Sequence, residues 1–552
     1  MIDRHERTLI HRVVDTLLRE DHLGLTSRGR QLGDDRWYVP GLPAGGDLTL
    51  RVRPDGFQAD RRLAAPRMTV TDGGRTVTLD RLDAILAALA PRGDPAAEAG
   101  WATFVDECHQ DLLSRRLTAP AQADRWHELG SGLPRGLAGA LRAERVAAHV
   151  DHPVYPTARC RFGLDGADLR AYVPELAPRF PLRWASATGV RVVGTLPPWW
   201  PTPAQVGLRS AAGPLVPVHP LTAASVPELA AHLAPQTYLQ VEPTLSMRTV
   251  AVVDDPAVHL KIPLPMSTLG ARNRRTVKPS TLADGATMAT VLRTIADREP
   301  AFTGRIRHTD ESSYGITGSE YLTWLVRRYP TDLDDAVVLP VAALAARGPD
   351  GSLIARLPPG VLASYLDLLI EWHVALWLRY GVVLEAHQQN LSLVLPNAGP
   401  PGLLYKDDDS ARVDLPRLRR ALGAAAPAAF ADPRIAGAGP DHLADLFTTI
   451  TLHLCATAPL LAAREAGLAV GDPAAELRPR LLAARDRWTD ATDAGSVAAA
   501  RLLGARVLDA DRLPIKAMVT SGTLLPKSRL GCADVNKYYL RTGPNYLRAD
   551  PP

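Results

Sequence analysis

The longest apolar region of the chain runs from Val361 to Ala386 and limits the folds that the chain can adopt. Its part before Gly381 contains Asp367, Glu371, His373 and Arg379. A helix surrounded by lipid would not carry four such groups, so the region predicts a helix buried in the core of a soluble protein. One apolar face contains His373 and ends before a glycine that can stop the helix, so this histidine is predicted to be a core residue.

The charge balance argues against a strongly charged partner. The 552 residues include 63 Lys+Arg and 59 Asp+Glu, a formal net charge of +4, which favours neither nucleic acid nor an anionic membrane. Codon usage in a G+C-rich genome is enough to explain the scarcity of lysine, yet each lysine is a candidate functional group because arginine cannot replace a compact ammonium. The six lysines are Lys261, Lys278, Lys406, Lys516, Lys527 and Lys537.

The cysteines and the N-terminal segment both indicate a cytoplasmic protein. Four cysteines lie far apart, without the paired spacing of a zinc site or a redox centre. The first 21 residues are charged throughout, and their apolar residues follow helical spacing instead of forming the apolar block of a signal peptide.

The patterning predicts an α+β fold in three domains, at 1–148, 149–350 and 351–552. The first combines helices with short strands, including a hairpin around Asp72-Gly73-Gly74. The second consists mainly of extended segments broken by prolines, which indicates a sheet-rich domain. The third is mainly helical and alanine-rich, with one hairpin around the turn at 396–402.

The densest polar cluster is the segment EAHQQN at 385–390, placed before that hairpin, which ends in Lys406 and three aspartates at 407–409. Two interpretations are open. Glu385, His387 and Asn390 could simply cap a helix and fix a turn. Alternatively, closure of the hairpin brings Asn390 and one of the aspartates to a magnesium ion, with nucleotide phosphates completing the shell, as in protein kinases.

A kinase-like site also needs a phosphate-binding lysine on a strand, and Lys261 is such a lysine. The sequence lacks a glycine-rich loop before Lys261, a Walker lysine motif and an aspartate at the position of the catalytic base. Adenylyl transfer to a carboxylate fits better, because a carboxylate is already an anionic nucleophile. A kinase-like phosphotransferase and a nucleotide-binding pseudoenzyme remain as alternatives.

The segment Ser246-Met247-Arg248-Thr249 precedes the strand of Lys261 and is separated from it by the turn Asp254-Asp255-Pro256. This order predicts two antiparallel strands that carry hydroxyl, guanidinium and ammonium groups for a polyphosphate. A solvated hairpin face is the simpler interpretation. A one-residue change in the turn would also move Lys261 to the face opposite Arg248.

Three other segments are weak signals when each is considered alone. Thr268 and Arg272 are four residues apart and can grip a carboxylate if they share a helical turn. The other two segments surround His152 and Lys516.

Taken in chain order, these motifs resemble those of the NRPS-independent siderophore synthetases, the ATP-dependent family of the aerobactin, alcaligin and achromobactin synthetases. The resemblance runs from about residue 151 to the C-terminus and implies a cupped hand with an N-terminal thumb, sheet-rich fingers and a mainly helical palm. The motifs are HPxxPxxR at 152–159, VHP at 218–220, SxRT at 246–249, a lysine followed by TLGAR at 261–272, EAHQQN at 385–390, KD at 406–407 and KAM at 516–518.

The resemblance also implies an AMP-forming ligase that uses ATP and Mg²⁺ to join a polycarboxylic acid to an amine, hydroxylamine or alcohol, and it suggests a homodimer. ATP would be bound by Ser246, Arg248, Thr249, Lys261, His387, Asn390 and Asp407. The magnesium ligands would be Glu385, Asn390 and Asp407. The carboxylate substrate would be held by His152, Arg159, Thr268, Arg272, His387 and Lys516. The catalytic groups among these would be Arg248, Lys261, Arg272, His387 and Lys516.

The sequence departs from the family pattern mainly on the substrate side. Tyr155 stands where a second histidine is common, Arg159 replaces a lysine, and Leu221-Thr222 replaces a Trp-Gln pair. Adenylation is therefore the firmer expectation, and the acid and the nucleophile are left open.

Overall fold

Helices and strands occur along the whole chain and form several sheets packed by helices. The computed structural model describes residues 3–150, 152–532 and 537–548. Helices and β-sheets both make up large parts of it, which confirms the predicted α+β class.

The N-terminal elements form an antiparallel meander of five strands with helices packed against it. The first helix begins after Asp3, whose side chain accepts hydrogen bonds from the backbone N–H groups of His5 and Glu6. The predicted hairpin around Gly73-Gly74 forms between the fourth and fifth strands. The elements are α1 (Arg4–Arg19), β1 (Arg30–Leu32), β2 (Arg36–Val39), β3 (Asp47–Pro54), β4 (Arg61–Asp72), β5 (Arg75–Leu79), α2 (Leu82–Ala88), α3 (Pro95–Thr118), α4 (Gln122–Glu128) and α5 (Gly136–Ala148).

The middle elements build an eight-stranded sheet in the order β7-β13-β14-β11-β10-β9-β6-β8. Its central strands β10 and β11 are largely buried, in agreement with their apolar sequences. The elements are α6 (Gly166–Tyr172), β6 (Phe180–Ala185), β7 (Arg191–Val193), β8 (Val216–Val218), α7 (Pro220–Ser225), β9 (Tyr238–Pro243), β10 (Thr249–Val252), β11 (Asp255–Lys261), α8 (Pro279–Arg298), β12 (Ile306–His308), β13 (Asp310–Ile316), β14 (Trp324–Arg328), β15 (Val337–Pro340), β16 (Arg347–Gly348) and β17 (Gly351–Ser352).

The C-terminal elements are mainly helical. The chain from 440 to 465 is one helical stretch, because π-helical residues Phe447–Thr457 connect α12 to α13. The elements are α9 (Val361–Tyr380), β18 (Val382–Val383), β19 (Leu391–Leu395), β20 (Gly402–Tyr405), β21 (Arg412–Val413), α10 (Leu415–Leu422), α11 (Pro433–Ala436), α12 (Pro440–Leu446), α13 (Ala458–Glu465), α14 (Pro473–Trp488), α15 (Ala494–Leu503), β22 (Arg512–Lys516), α16 (Lys527–Leu530) and β23 (Tyr539–Pro544).

One four-stranded sheet, in the order β12-β20-β19-β15, joins the middle and C-terminal elements. Its two outer strands come from the middle of the chain, and its two inner strands are the hairpin predicted around residues 396–402. The largest hydrophobic core also contains residues from both regions. The boundary expected at residue 350 stays a prediction, and this sheet crosses it.

Two helical stretches, Val361–Tyr380 and Pro440–Glu465, are long and apolar enough to cross a membrane by length and composition alone. Within the protein, 67% and 83% of their most apolar windows are buried. The first is α9, which packs against α14 and ends at Gly381 in the left-handed conformation. His373 on α9 is a core residue as predicted, because its two ring nitrogens lie 2.9 Å from the hydroxyl of Tyr405 and 3.1 Å from that of Thr451.

Candidate active site

The predicted phosphate-binding hairpin forms between β10 and β11, where Thr249 lies directly opposite Lys261. Directly opposed residues share a face of the sheet, so both side chains lie on one side. Ser246 and Arg248 are not on the strand, which corrects the expectation of a continuous SxRT strand. They lie in the turn before β10, because the hydroxyl of Ser246 accepts a hydrogen bond from the backbone N–H of Thr249 at 3.2 Å.

The hairpin turn also differs from the prediction. The chain reverses at 253–254, and Asp255 and Pro256 already belong to β11. The pairing shifts by a bulge between Ala251 and Val252. Such an irregularity re-aims the side chains that follow it, which is why the register could not be read from the sequence.

Lys261 lies in a buried cluster of ion pairs with Asp407. Its ammonium contacts Oδ1 of Asp407 and lies 3.6 Å from Oδ2 of Asp409. Arg327 donates to the same Asp407 oxygen at 2.7 Å and to Glu311 at 2.6 Å. Burial alone would raise the pKa of Asp407, but the nearby cations outweigh this effect and hold that pKa well below its usual range. Asp407 is therefore a carboxylate at neutral pH.

Asn390 and Asp407 lie at the open end of the β19–β20 hairpin, as predicted for a magnesium site. The backbone N–H of Lys406 donates to the carbonyl of Asn390 at 3.0 Å, which fixes the two ends together. Among the described residues, the Asn390 amide and Oδ2 of Asp407 make no hydrogen bond, so two oxygen ligands are available. Mg²⁺ is commonly held by one or two carboxylates with phosphates and water, and these residues fit that donor set.

A site built only from protein ligands is not present in the described parts of the chain. Across 3–150, 152–532 and 537–548, no group of three or more His, Cys, Asp or Glu side chains lies close enough to hold a metal ion. Any magnesium here would depend on ligands from a bound phosphate.

Lys406 is held by Glu144 of α5 instead of facing the hairpin opening. Its ammonium donates to Oε1 of Glu144 at 2.7 Å, and the other Glu144 oxygen accepts from the backbone N–H of Leu245 at 2.8 Å. Burial opposes the charge of Glu144, yet Lys406 and the Leu245 N–H lower its pKa. Glu144 therefore fastens the turn that carries Ser246 and Arg248 to the hairpin that carries Asp407.

The TLGAR segment is a loop and not a helical turn, so the expected pairing of Thr268 with Arg272 does not form. Nε of Arg275 donates to the hydroxyl of Thr268 instead. Arg272 is exposed, and its backbone N–H donates to the carbonyl of Gly522 at 3.0 Å. The two backbones approach so closely that a Cβ on Gly270 would lie 2.8 Å from Cα of Gly522.

Two arginines, Arg248 and Arg275, lie at the turn before β10, which is predicted to bind phosphate. Arg248 donates to the carbonyl of Thr276 at 2.8 Å, and neither Arg248 nor Arg275 has a carboxylate partner in the described chain. Burial, followed by the charges of Arg248 and Arg161, lowers the pKa of Arg275 to about 9. Two guanidinium groups without a carboxylate in direct contact make this part of the site suited to an anion.

His387 is positioned by its own turn. Its Nδ1 accepts a hydrogen bond from the backbone N–H of Gln389 at 3.3 Å, so the neutral ring carries its proton on Nε2. Burial lowers its pKa to about 4, and smaller effects come from Glu385 and Lys516 and from Asp407 and Arg275. His387 is therefore a neutral residue that lies near both of these pairs of charged residues.

His152 is fixed in a tight loop that α1 holds from the other side. Its Nδ1 accepts from the backbone N–H groups of Val154 and Tyr155 at 3.3 and 3.0 Å, which leaves an Nε2–H donor. Arg12 donates to the carbonyls of His152 at 2.7 Å and Tyr155 at 2.5 Å, and Arg19 donates to that of Val154 at 2.8 Å. Burial lowers the pKa of His152 well below its usual range. The N-terminal region thus positions a predicted substrate residue.

Lys516 is paired with Glu385, and Glu385 is also paired with Lys537. Nζ of Lys516 lies 3.2 Å from Oε1 of Glu385, and Nζ of Lys537 contacts Oε2. Burial would raise the pKa of Glu385, but the two lysines lower it strongly. Each carboxylate oxygen of Glu385 already faces an ammonium group. This arrangement differs from the prediction that Glu385 binds magnesium.

Arg159 has a different setting from the predicted substrate contact. Its guanidinium donates to the hydroxyl of Thr118 and lies 3.7 Å from Glu175, and its backbone N–H donates to Asp111 at 2.8 Å. These contacts connect α3 to the sheet-rich region. A buried guanidinium with such partners is a structural link.

Several functional candidates were missed from the sequence because their partners are remote in the chain. Arg275 lies within the basic run 272–275, where spacing alone cannot decide which arginine faces inward. Glu144, Glu311 and Arg327 belong to no motif, and Lys537 was noted only as one of six lysines. The scarcity of lysine was the one signal that pointed to Lys537.

Two protein-family profiles match the chain. Residues 140–346 match the family described as IucA / IucC family, and residues 362–525 match the one described as Ferric iron reductase FhuF-like transporter. The first match covers the sheet-rich region with Ser246, Arg248 and Lys261. The second covers most of the helical region, including His387 and Lys516.

Curated relatives are about a quarter identical to the chain over the residues that align. The rhizobactin siderophore biosynthesis protein RhbC of Rhizobium meliloti is 26% identical over 429 residues, 68% of this chain and 71% of that protein. The staphyloferrin B synthase of Staphylococcus aureus is 24% identical over 324 residues, 50% of this chain and 55% of that protein. An uncharacterized protein, y4xN, of Sinorhizobium fredii is 27% identical over 331 residues, 50% of this chain and 52% of that protein. The matches to the last two span about half the length of each relative.

Solved structures resemble the chain over nearly its whole length. The ATP-bound aerobactin synthetase IucA from Klebsiella pneumoniae has a TM-score of 0.74 at 19% identity and covers 99% of this chain and 100% of its own. The petrobactin biosynthesis protein AsbB from Bacillus anthracis has a TM-score of 0.75 at 15% identity and covers 98% of this chain and 95% of its own. These likenesses concern the fold, and they confirm the predicted architecture.

Proposed function

The chain belongs to the family of NRPS-independent siderophore synthetases, and on that premise we propose that it is an ATP-dependent, AMP-forming ligase. Its acid substrate is citrate or a related polycarboxylic acid, and its nucleophile is an amine, hydroxylamine or alcohol. The observation that carries the proposal is the position of His387. It lies near the candidate phosphate site, which contains Arg275 and Asp407, and near the candidate carboxylate site, which contains Lys516 and Glu385.

ATP binds, in this proposal, with its phosphates between the β10–β11 hairpin and the Arg275 loop. Ser246 and Thr249 supply hydroxyl donors, while Arg248, Lys261 and Arg275 supply positive charge. Arg248 and Arg275 have no carboxylate partner in the described chain, so no ion pair has to break before they bind phosphate. The resemblance of the fold to an ATP-bound synthetase supports ATP as the nucleotide.

Asn390 and Asp407 would hold Mg²⁺ through their free oxygens, and a bound ion would supply charge neutralisation for the phosphates. The chain's own contribution is the fixed orientation of Asp407, which Lys261 and Arg327 hold by one oxygen while the other stays available.

The acid binds beside Lys516, with His152, His387 and Thr268 as further donors. Both histidines are neutral at physiological pH and carry an Nε2–H, so they can donate hydrogen bonds without adding charge. Arg275 donates to Thr268 and, in this proposal, contacts both the acid and the α-phosphate. We assign to Arg275 the role that the sequence predicts for Arg272.

In the first step, a carboxylate oxygen attacks the α-phosphorus of ATP. The bond from that phosphorus to the oxygen shared with the β-phosphate breaks, and pyrophosphate leaves with the bonding electrons. In the second step, the nitrogen or oxygen of the nucleophile attacks the acyl carbon, AMP leaves, and the nucleophile loses a proton. Cations placed where negative charge develops lower the first barrier, and proximity supplies much of the remainder.

The products of ATP turnover test this proposal. The protein is incubated with ATP, Mg²⁺ and each of citrate, succinyl-hydroxycadaverine and 2-oxoglutarate, with hydroxylamine as a general trap for an acyl adenylate. We expect acid-dependent AMP, pyrophosphate and a hydroxamate. Release of ADP would instead favour a kinase-like phosphotransferase, and ATP binding without turnover would favour a pseudoenzyme.

A pair of arginine variants tests the phosphate site. Arg248→Ala should abolish pyrophosphate release, because it removes a positive charge from the phosphates. Arg209→Ala is the matched control, since Arg209 is exposed and lies outside the proposed site. Near-normal pyrophosphate release by Arg248→Ala would refute the assignment of Arg248 to the phosphate site.

A cytoplasmic homodimer without nucleic acid or membrane partners remains the expectation from the sequence. Light scattering of the purified chain at several concentrations measures the mass of the assembly. A mass of twice 59.4 kDa is the predicted result, and a monomer at all concentrations would contradict it.

A further inference from the structure

Lys537, which belongs to no sequence motif, lies just before β23 and beside Glu385 and Lys516. Lys537 contacts Oε2 of Glu385, whose other oxygen faces Lys516 at 3.2 Å. Only 5% of the Lys537 side chain and 10% of the Lys516 side chain are exposed. An ammonium has three donors, and Lys537 makes no other ion pair in the described part of the chain. Both lysines thus retain donors for a ligand.

Positive charge exceeds negative charge around these two lysines. Arg412 is buried, and its guanidinium donates to the backbone carbonyls of Ser410 and Ala411 but to no carboxylate in the described residues. It is close enough to act on the pKa values of Lys537 and Glu385, and also on that of Asp432, which is itself paired with Arg434. Lys516 and Lys537 therefore share the carboxylate of Glu385, and Arg412 adds positive charge nearby.

The remaining titratable neighbours do not offset this charge. His442 and Tyr539 face the cluster, and burial lowers the pKa of His442 to about 4 and raises that of Tyr539, so both are neutral. Asp445, which acts on Tyr539, is paired with Arg541 at 2.7 Å. Buried charge without a counterion is costly, so the cluster is suited to receive an anionic group.

The two ammonium groups contact the two oxygens of one carboxylate, so a single small acid with more than one carboxylate can reach both of them. One of them can bind the reacting carboxylate while the other binds a second one.

We infer that Lys537 binds a second, non-reacting carboxylate of the acid and so restricts the enzyme to acids with at least two carboxylates. Glu385 holds Lys537 and Lys516 apart and in place until the acid arrives. This inference rests on the proposed function, since it concerns the acid of the same reaction.

The test compares acids that differ by one carboxylate. 3-Hydroxy-3-methylglutarate is paired with 3-hydroxy-3-methylvalerate, and 2-oxoglutarate with 2-oxovalerate, so that one acid of each pair has a second carboxylate and the other has none. For the wild-type protein we expect kcat/KM in pyrophosphate release to favour the acid with the additional carboxylate by about 100-fold, as a charge-assisted contact implies. Lys537→Met should lose most of that preference by weakening only the preferred acid. Lys537→Arg keeps the charge and should retain part of the preference.

Controls separate this role from a structural one. Lys527→Met removes an exposed lysine near the same end of the chain and should leave both acids unchanged. The KM for ATP in Lys537→Met should equal that of the wild type. Equal loss for both acids of a pair, or an unchanged ratio, would overturn the inference.

A binding measurement keeps the inference testable if the proposed reaction itself fails. Isothermal titration calorimetry with 2-oxoglutarate and 2-oxovalerate requires no turnover. Selective binding of 2-oxoglutarate that is lost in Lys537→Met supports the role of Lys537 even if no acid supports pyrophosphate release. Equal affinity of the wild type and Lys537→Met for 2-oxoglutarate would overturn it, whatever reaction the enzyme performs.

Discussion

The hydroxyl of Thr268 accepts a hydrogen bond from Nε of Arg275, although Arg272 has the spacing that a helical turn would require. The loop reverses through Leu269 and Gly270, both with positive φ, so residues four apart do not share a face. The half-buried guanidinium beside Arg248 is therefore that of Arg275.

This relationship predicts a large difference between two neighbouring arginines. Arg275→Ala should lower acid-dependent pyrophosphate release by about 100-fold or more, because it removes a fixed donor near developing negative charge. Arg272→Ala should change the rate by no more than about twofold, since Arg272 is exposed. Steady-state kinetics of the two variants decides between them. The opposite order would restore Arg272 as the functional arginine.

A second prediction concerns the N-terminal helix. Arg12→Ala removes the donor that holds the carbonyls of His152 and Tyr155, so the loop should lose its fixed geometry. We expect kcat/KM for the acid to fall by about 10- to 100-fold, because small displacements of a positioned group are costly, while the KM for ATP stays within about twofold. Arg7→Ala, on the exposed side of the same helix, is the control. Parallel losses for acid and ATP would argue against selective positioning of His152.

A third prediction concerns the buried pair of Glu144 and Lys406. Glu144→Gln leaves the ammonium of Lys406 buried without its counterion and should reduce the free energy of unfolding by about 3–5 kcal/mol. The double variant Glu144→Gln, Lys406→Met should recover part of that loss. For comparison, Glu465→Gln breaks an exposed pair with Arg347 and should cost less than about 1 kcal/mol. Urea denaturation measures all of these values, and similar losses in both single variants would contradict the account.

A fourth prediction follows from Asp15, whose burial raises its pKa to about 6 from an ordinary value of 3.8. The folded state binds this proton more tightly than the unfolded state, so the stabilisation is complete below about pH 4 and is lost as the pH rises through about 6. Asp15→Asn keeps an acceptor for the backbone N–H of Leu63 without the charge. Its unfolding free energy relative to the wild type should therefore increase by about 3 kcal/mol between pH 4 and pH 7. A difference that does not vary with pH would contradict this assignment.

The sequence predicted the elements that depend on local patterns. Turn residues located the hairpins at 73–74 and 396–402, and helical spacing located α9 with its core histidine. Asn390 and Asp407 meet because they flank strands of one hairpin, which is a local relationship. The ordered motifs also predicted the family correctly.

The contacts that the sequence could not predict join remote segments or depend on loop geometry. Lys537 and Glu385 are 152 positions apart, and Glu144 and Lys406 are 262 apart, so no spacing rule relates them. Ser246 and Arg248 leave the strand because a serine hydroxyl bonds the backbone, a competition that strand patterns do not reveal. Arg159 occupies a motif position where the family usually has lysine, and its contacts with Asp111 and Glu175 depend on the packing of α3.

The central claim is that the carboxylate of the acid attacks the α-phosphorus of ATP. The most direct measurement uses an acid labelled with ¹⁸O in its carboxylates, unlabelled ATP, Mg²⁺ and hydroxylamine, with mass spectrometry of the nucleotide product. We predict that AMP acquires one ¹⁸O atom per turnover, because the acyl carbon is attacked and the labelled oxygen stays on phosphorus. Unlabelled AMP, or label in inorganic phosphate with ADP as the nucleotide product, would contradict the account.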